Sequence, residues 1–254
     1  MYLVNAAYVP NEIATDLSAF YKFQQGAFKD VATMSFSAAK FFRKENESVH
    51  ALRISVFNEK QGPYISSPRG YVNYAYELPL GEETKLAGGL AMGFAGMNYT
   101  GVSTTGDVNV LMPDASSGLV FKFRTLHLGA AGQQLLNSKT KPFAGQIELR
   151  RYFHFHMSHE LDLNENWKWK YYALYRLLPL IPNEALVGTS FMFREAIGLG
   201  AVCRSNSGIA LFGEVALDSE KDRLKLIFNY NSSLFQLIPS FQNSIEIGVG
   251  YVLK

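Results

Sequence analysis

Glu148-Leu149-Arg150-Arg151-Tyr152-Phe153-His154-Phe155-His156-Met157-Ser158-His159-Glu160-Leu161-Asp162 is the stretch on which the fold turns. Successive side chains of a β-strand point to opposite faces, so a strand with one apolar environment reads as two interleaved files. One file here is Leu149, Arg151, Phe153, Phe155, Met157, His159 and Leu161. The other is Glu148, Arg150, Tyr152, His154, His156, Ser158, Glu160 and Asp162. Strands of globular proteins usually run to about 5–6 residues, and this alternation runs for fifteen. A tilted strand that crosses a bilayer needs about 9–11 residues and often projects beyond it. The length therefore favours a barrel over a sandwich.

The same period extends to both sides. Next along the chain, Trp167, Trp169, Tyr171 and Tyr175 share one face, while Lys168, Lys170, Tyr172 and Arg176 share the other. Closely spaced Trp and Tyr on an outward face suit an aromatic girdle, because their amphipathic rings settle at the headgroup level. An aromatic-rich core strand of a soluble protein is the plainer alternative. Near the C-terminus Ile245, Ile247, Val249, Tyr251 and Leu253 alternate with small or polar residues. Leu224, Leu226, Phe228 and Tyr230 do likewise, as do Leu86, Leu90, Met92 and Phe94.

Such runs predict strands near residues 18–24, 31–42, 49–57, 70–80, 85–95, 117–123, 126–135, 148–162, 167–177, 186–193, 196–204, 208–218, 223–231 and 244–253, fourteen in all. An even count is what single-chain bacterial barrels have. Short polar breaks at 193–195, 204–208 and 218–222 fit a meander, with longer connections at Thr100–Asp107 and Asn137–Pro142. No linker or shift of composition divides the chain. The expected architecture is all-β: one transmembrane up-and-down antiparallel barrel over 1–254, with residues 1–17 an N-terminal segment in the lumen or on the periplasmic side.

Composition narrows the function classes. The chain has 254 residues, 24 Lys+Arg against 22 Asp+Glu, 14% aromatic and 18% charged residues. Disordered chains are poor in aromatics and rich in charge, so this chain is folded. A formal charge of +2 offers no basic stripe for nucleic acid. One cysteine, Cys203, excludes an intrachain disulfide framework and a multi-cysteine zinc site, and it sits on an apolar file as a small hydrophobe. No run approaches the roughly 20 apolar residues of a spanning helix. Residues 177–182, Leu-Leu-Pro-Leu-Ile-Pro, are twice broken by proline. Met1–Val9 carries neither a basic n-region nor a long apolar core, so an exported protein would be met here in mature or trimmed form. A mean hydropathy of −0.02 is what results when apolar outward files and polar inward files are averaged.

No enzyme site stands out. His154 and His156 share a face, but the alternation turns His159 away, and catalytic zinc usually takes three converging protein ligands. Ser158 and His156 lie two apart on one face, roughly 6.5–7 Å between Cβ atoms by the strand rise, and no Gly-x-Ser-x-Gly elbow occurs. Gly88-Gly89 and Gly93…Gly96 lie inside an alternating strand with no helix after them, so they lack the nucleotide-binding mechanism. Small residues on an inner file instead leave room for a luminal plug or chain. The expected lumen-facing polar file is Glu148, Arg150, His154, His156, Glu160, Lys168, Lys170 and Arg176. With both signs of charge and large rings among them, a filled or narrow lumen is favoured over an open channel. No catalytic, metal or cofactor residue is assigned.

Several stretches resemble the PorP/SprF-type outer-membrane proteins of the type IX secretion and gliding system. From Trp167 onward the order is a Lys/Tyr-rich strand, the break at Pro179–Pro182, and a strand Ala196-Ile197-Gly198-Leu199-Gly200 ending at Arg204. Then come a Gly-rich strand from Gly208, Phe228-Asn229-Tyr230-Asn231, and a final Ser244-Ile245-Glu246-Ile247 strand. The family commonly has Tyr-Asp at the Tyr230-Asn231 place and Ser-His-Glu-Ile at the last. Pro113-Asp114, Gly118-Leu119 and Leu126-His127-Leu128-Gly129-Ala130-Ala131 resemble its Pro-Asp…Gly strand and the strand after it. Val4-Asn5-Ala6-Ala7-Tyr8 resembles its Asn-Pro-Ala-Tyr motif, with Ala6 in place of the proline. Lys254 departs from the aromatic last residue common in barrel-assembly signals. The resemblance implies a non-enzymatic outer-membrane component without cofactor, in contact with outer-membrane lipids. It further implies export or cell-surface attachment of a secreted adhesin through its C-terminal domain, with other secretion-machinery components as partners. Two rivals stand beside it: an outer-membrane porin or transporter for small solutes, and a soluble sandwich or lipocalin-like binder.

Overall fold

The alternating runs become a meander that closes on itself. In the computed structural model, residues 4–10, 14–26, 29–44, 47–101, 106–141, 146–205, 208–232 and 243–253 are described. The strands are β1 (Thr15–Gln24), β2 (Val31–Arg43), β3 (Val49–Gln61), β4 (Ile65–Pro79), β5 (Thr84–Tyr99), β6 (Val108–Phe123), β7 (Leu126–Gln133), β8 (Lys139–Thr140), β9 (Ile147–Glu148), β10 (Tyr152–Asp162), β11 (Trp167–Leu177), β12 (Glu184–Phe193), β13 (Ile197–Arg204), β14 (Gly208–Asp218), β15 (Asp222–Ser232) and β16 (Ser244–Leu253). Every one but β8 and β9 joins a closed antiparallel barrel of fourteen strands, in chain order, with β1 and β16 zipped from Thr15↔Leu253 to Gln24↔Ser244. Closure leaves no sheet edge, as the hydrocarbon interior of a membrane demands.

The expected fourteen-stranded meander is the observed one, with local differences: β1 begins at Thr15, so residues 15–17 of the expected N-terminal segment belong to the wall, and β3 and β5 each run four residues further than expected. The alternation from Glu148 is broken: β9 pairs with β8 in a separate two-stranded sheet, and the barrel strand begins at Tyr152. Strand β4 begins five residues earlier than expected and runs through Pro68, which falls where pairing with β5 lapses between Ser66 and Arg69. Proline lacks the ladder N–H, so such a lapse is where a strand tolerates it. Strand β6 begins nine residues early and carries Pro113 opposite Phe94. Of the expected connections, residues 102–105, 142 and 206–207 lie outside the described residues, as does Lys254.

Apolar side chains of the outward files are exposed around the whole wall, Met34, Ile54, Met92, Leu111, Phe155, Val187, Leu199, Leu211 and Phe228 among them. That is the inverse of a soluble core and matches the lipid-facing band of a membrane barrel. The buried residues lie inside. Val9 packs with Ala39, Phe41, Val49, Ala51 and Ala75, and Ala7 with Ala87 and Val120.

The two rims differ. Connections β2–β3, β4–β5, β6–β7, β10–β11, β12–β13 and β14–β15 are all short, and at that rim β1 begins and β16 ends. The opposite rim carries every longer connection, β7–β10 and β15–β16 among them, beside the three-residue connections β3–β4 and β13–β14. At the short-turn rim, Arg194 and Glu195 in the β12–β13 turn both have positive φ, 47° and 56°, as a hairpin turn matching the strand twist requires.

Candidate functional site

Fourteen strands spaced about 4.8 Å apart and tilted by about 40° enclose a backbone circle roughly 28 Å across. Eight-stranded barrels fill with side chains alone; this one needs something more. Residues 4–10, Val-Asn-Ala-Ala-Tyr-Val-Pro, supply it. They lie inside the barrel and outside every strand ladder, with Asn5, Ala6, Ala7 and Val9 buried.

Inward side chains take hold of this segment by its backbone. Gln133 Nε2 donates to the Val4 carbonyl (3.0 Å), Asn73 Nδ2 to Ala6 (3.1 Å), and Arg53 to Tyr8 (3.0 Å). Lys122 Nζ donates to Val9 (2.5 Å) and Arg43 to Pro10 (3.1 Å). The Asn5 carbonyl accepts from the Tyr8 amide (3.1 Å), turning the segment on itself. Arg43 closes β2 at the short-turn rim and Gln133 closes β7 at the other, so the segment enters beside the short turns and runs toward the long connections.

One side chain is read specifically. The Ala7 amide donates to Asn5 Oδ1 (2.9 Å), which fixes the carboxamide's orientation. Asn5 Nδ2 then donates to the carbonyls of Leu119 (3.1 Å) and Ala130 (3.3 Å) and meets His156 Nε2 at 2.9 Å, so that ring nitrogen is the acceptor. Glycines make the room. A Cβ on Gly118 would collide with the Asn5 carboxamide, one on Gly129 with the His156 ring, and one on Gly89 with the backbone of Ala6 and Ala7. Beneath the segment, Lys122 pairs with Glu77 at 2.5 Å, with side chains 3% and 1% exposed. Tyr71 donates to Asp114 at 2.7 Å.

On the other side of the segment the lumen is open. A cavity of about 570 Å³ lies against β10–β15, touched by Val4 and lined by Leu174, Leu186 and Phe212 with Glu160, Lys168, Lys170, Arg176, Glu214, Arg223 and Lys225. At its short-turn end Glu195 bridges Lys168 and Arg223 (3.0 Å), and Arg223 also holds Asp218 (2.6 Å). Hydrogen bonds from Lys168, then Arg223, hold the Glu195 carboxyl below its ordinary value.

Of the residues singled out from the sequence, His156, Glu160, Lys168, Lys170 and Arg176 line this cavity, and His154 is buried on the same inward file. Glu160 and Lys170 face each other across β10 and β11, 3.9 Å apart. Glu148 and Arg150 belong elsewhere. Glu148 lies in β9, off the barrel, where hydrogen bonding from Lys139 holds its carboxyl below the ordinary value, and Arg150 precedes β10 and pairs with Glu148. Sequence alternation ran through a segment that the chain uses as a connection. The aromatic residues Trp167, Trp169, Tyr171 and Tyr175 share one file of β11, opposite to the cavity file. Eight residues separate the first from the last, roughly 26 Å at the strand rise. The file therefore spans the height of the wall instead of forming a belt at one level. Trp169 donates to Thr189 Oγ1 (2.7 Å) and Trp167 packs on Phe193.

The sequence reading missed the residues that grip the segment, Arg43, Arg53, Asn73, Lys122 and Gln133, and Glu77, which pairs with Lys122. Their signal was present as polar members of the inward files, which look alike whether they face water or a peptide.

Known proteins share this architecture. The Pseudomonas putida toluene transporter TodX matches with a TM-score of 0.59 at 8% identity, covering 100% of this chain and 93% of that one. The CymD monoaromatic hydrocarbon channel gives 0.60 at 10% identity, covering 95% and 88%. A Pseudomonas aeruginosa FadL homologue gives 0.57 at 8%, covering 94% and 89%. At these identities the likeness is one of fold alone. No curated protein matches the chain. The family model described as type IX secretion system membrane protein PorP/SprF matches residues 1–251, nearly the whole of the chain, including the Asn5 motif now seen inside the barrel. This protein belongs to the PorP/SprF family of type IX secretion system membrane proteins.

Proposed function

We propose that this barrel sits in the outer membrane and supports export or cell-surface attachment of a secreted adhesin, engaging the adhesin's C-terminal domain together with other secretion-machinery components. Family membership carries the pathway. The exposed apolar wall supports the membrane assignment. The role is structural and not catalytic: the inward polar groups are spent on gripping residues 4–10 and on ion pairs with one another. An open porin is the poorer reading, because residues 4–10 occupy part of the lumen.

The short-turn rim faces the periplasm by the usual asymmetry of bacterial barrels, and the long connections face outward. The partner is accordingly met at the long-connection rim. Affinity purification of the tagged protein from detergent-solubilised membranes, followed by mass spectrometry, tests the reading. Enrichment of a secreted protein with its C-terminal domain and of other secretion components is expected. Recovery in the soluble fraction, or a membrane eluate with no surface or secretion protein, overturns it.

A further inference from the structure

The segment in the lumen is fastened to the wall by side chains. It shares no ladder with the wall; the barrel holds it by side chains, reaching to the backbone carbonyls of Val4, Ala6, Tyr8, Val9 and Pro10. Its removal would break none of the strand pairings that make the barrel. The wall it covers is mixed: Ala39, Phe41, Val49, Ala51 and Ala75 pack on Val9, Ala87 and Val120 pack on Ala7, and Arg53, Asn73 and Lys122 come in reach of water once it leaves. Directly behind it, touched by Val4, lies the charged 570 Å³ cavity along β10–β15. A fourteen-stranded lumen is too wide for side chains to seal, and here residues 4–10 and that cavity divide it between them.

We propose that residues 4–10 are a withdrawable plug and that the barrel is a latent pore for ions and small polar solutes. The segment is tied to the wall at Ala14, whose amide donates to Leu253 O (2.8 Å) and whose carbonyl accepts from Phe41 N (2.9 Å). With that anchor at the short-turn rim, the plug leaves toward that rim, pivoting there without passing through the barrel. Withdrawal joins the vacated part of the lumen to the existing cavity and leaves one continuous passage, lined by both signs of charge.

Gly89 offers a way to evict the plug from the intact chain. The nearest atoms to a Cβ at this position all belong to the plug, the carbonyl group of Ala6 and the amide nitrogen of Ala7. A valine there is expected to drive out the segment, since the backbone of Ala6 and Ala7 is what its Cβ meets first.

Planar-bilayer conductance decides the matter, measured on the full chain, on Gly89→Val, and on a chain lacking residues 4–10. Each is first checked for the heat-modifiable gel mobility of a folded barrel. The full chain is expected to be silent or to open rarely. Gly89→Val and the deletion are both expected to give frequent open steps of similar size, and combining them adds nothing. If the full chain conducts as freely as the variants, the segment is no plug. If both variants fold and stay silent, the lumen is closed without it. Should the deletion fail to fold, Gly89→Val alone supplies the answer: its amide exchange at Ala7 shows whether the segment has left, and a silent barrel with the segment out refutes the pore.

Discussion

Glu77 and Lys122 form the most deeply buried ion pair of the lumen, and removing one partner is the sharpest probe of how the inner wall is held together. At 2.5 Å and an effective dielectric near 20, their attraction is about 7 kcal/mol. Desolvation costs several kcal/mol per ion, so the intact pair nets close to zero. Glu77→Gln keeps the shape and removes the charge, leaving an ammonium buried against the Val9 carbonyl. Breaking a buried pair from one side costs about 3–5 kcal/mol. Glu77→Leu with Lys122→Met removes both charges, and the remaining penalty is the orphaned Val9 carbonyl, about 1–3 kcal/mol. The double variant is therefore more stable than the single. Urea unfolding from lipid vesicles, followed by the fluorescence of Trp167 and Trp169 and extrapolated linearly to water, measures both. A Glu77→Gln barrel within about 1 kcal/mol of the parent, or a double variant less stable than Glu77→Gln, refutes the assignment of a desolvated pair.

Other predictions address the plug and the rim. Asn5→Ala removes the carboxamide bonds to Leu119, Ala130 and His156 and leaves the Ala7 amide without its acceptor. It should loosen docking of residues 4–10 by about 2–4 kcal/mol, seen as faster hydrogen exchange at Ala7 with the barrel's unfolding midpoint little changed. Gly129→Val should push the His156 ring off Asn5 and speed the same amide; unchanged exchange would place that ring elsewhere. The Glu195 bridge predicts a pH response. Its folded value is depressed, so its contribution is complete above the ordinary 4.5 and is lost as pH falls through the lower folded value. Exchange at the 194–196 turn amides should rise over that acidic window, and Glu195→Gln should abolish the dependence.

Legibility in the sequence divided along physical lines. The barrel was readable because bilayer and lumen impose one period on every strand: Ile245, Ile247, Val249 and Tyr251 face out in the structure as their spacing requires. Errors arose where alternation and pairing part company. Leu149 and Arg151 continue the pattern of β10 by composition, yet no partner strand reaches them. Pro68 and Pro113 lie inside β4 and β6, ahead of the strand starts expected at 70 and 117, and a lapse in pairing accommodates the first. Of the candidate site, the inward placement of His156, Glu160, Lys168, Lys170 and Arg176 follows from parity alone. The plug does not. Residues 4–10 have no period of their own, and they are held by side chains from strands far apart in sequence, such as Arg43 and Gln133 at its two ends. Its trace was the small inner file at Gly88-Gly89, read as room for a luminal chain, together with an N-terminal segment expected in the lumen or on the periplasmic side; the room left at Gly118 and Gly129 went unread.

The seam between β1 and β16 also sets an order of events. Residues 4–10 are the earliest of the described chain to be made, and Ala14 beside them is fastened to Leu253, among the last. Until that first-to-last zipper forms, the wall donors at Arg53, Asn73 and Lys122 face an unfinished, open sheet, and the segment has no enclosed place to dock. Loop-closure entropy makes so distant a pairing the slowest kind to establish. Closing the cylinder and filling it are thus one late step of maturation, in which the oldest residues of the chain wait for the youngest before they can be put away.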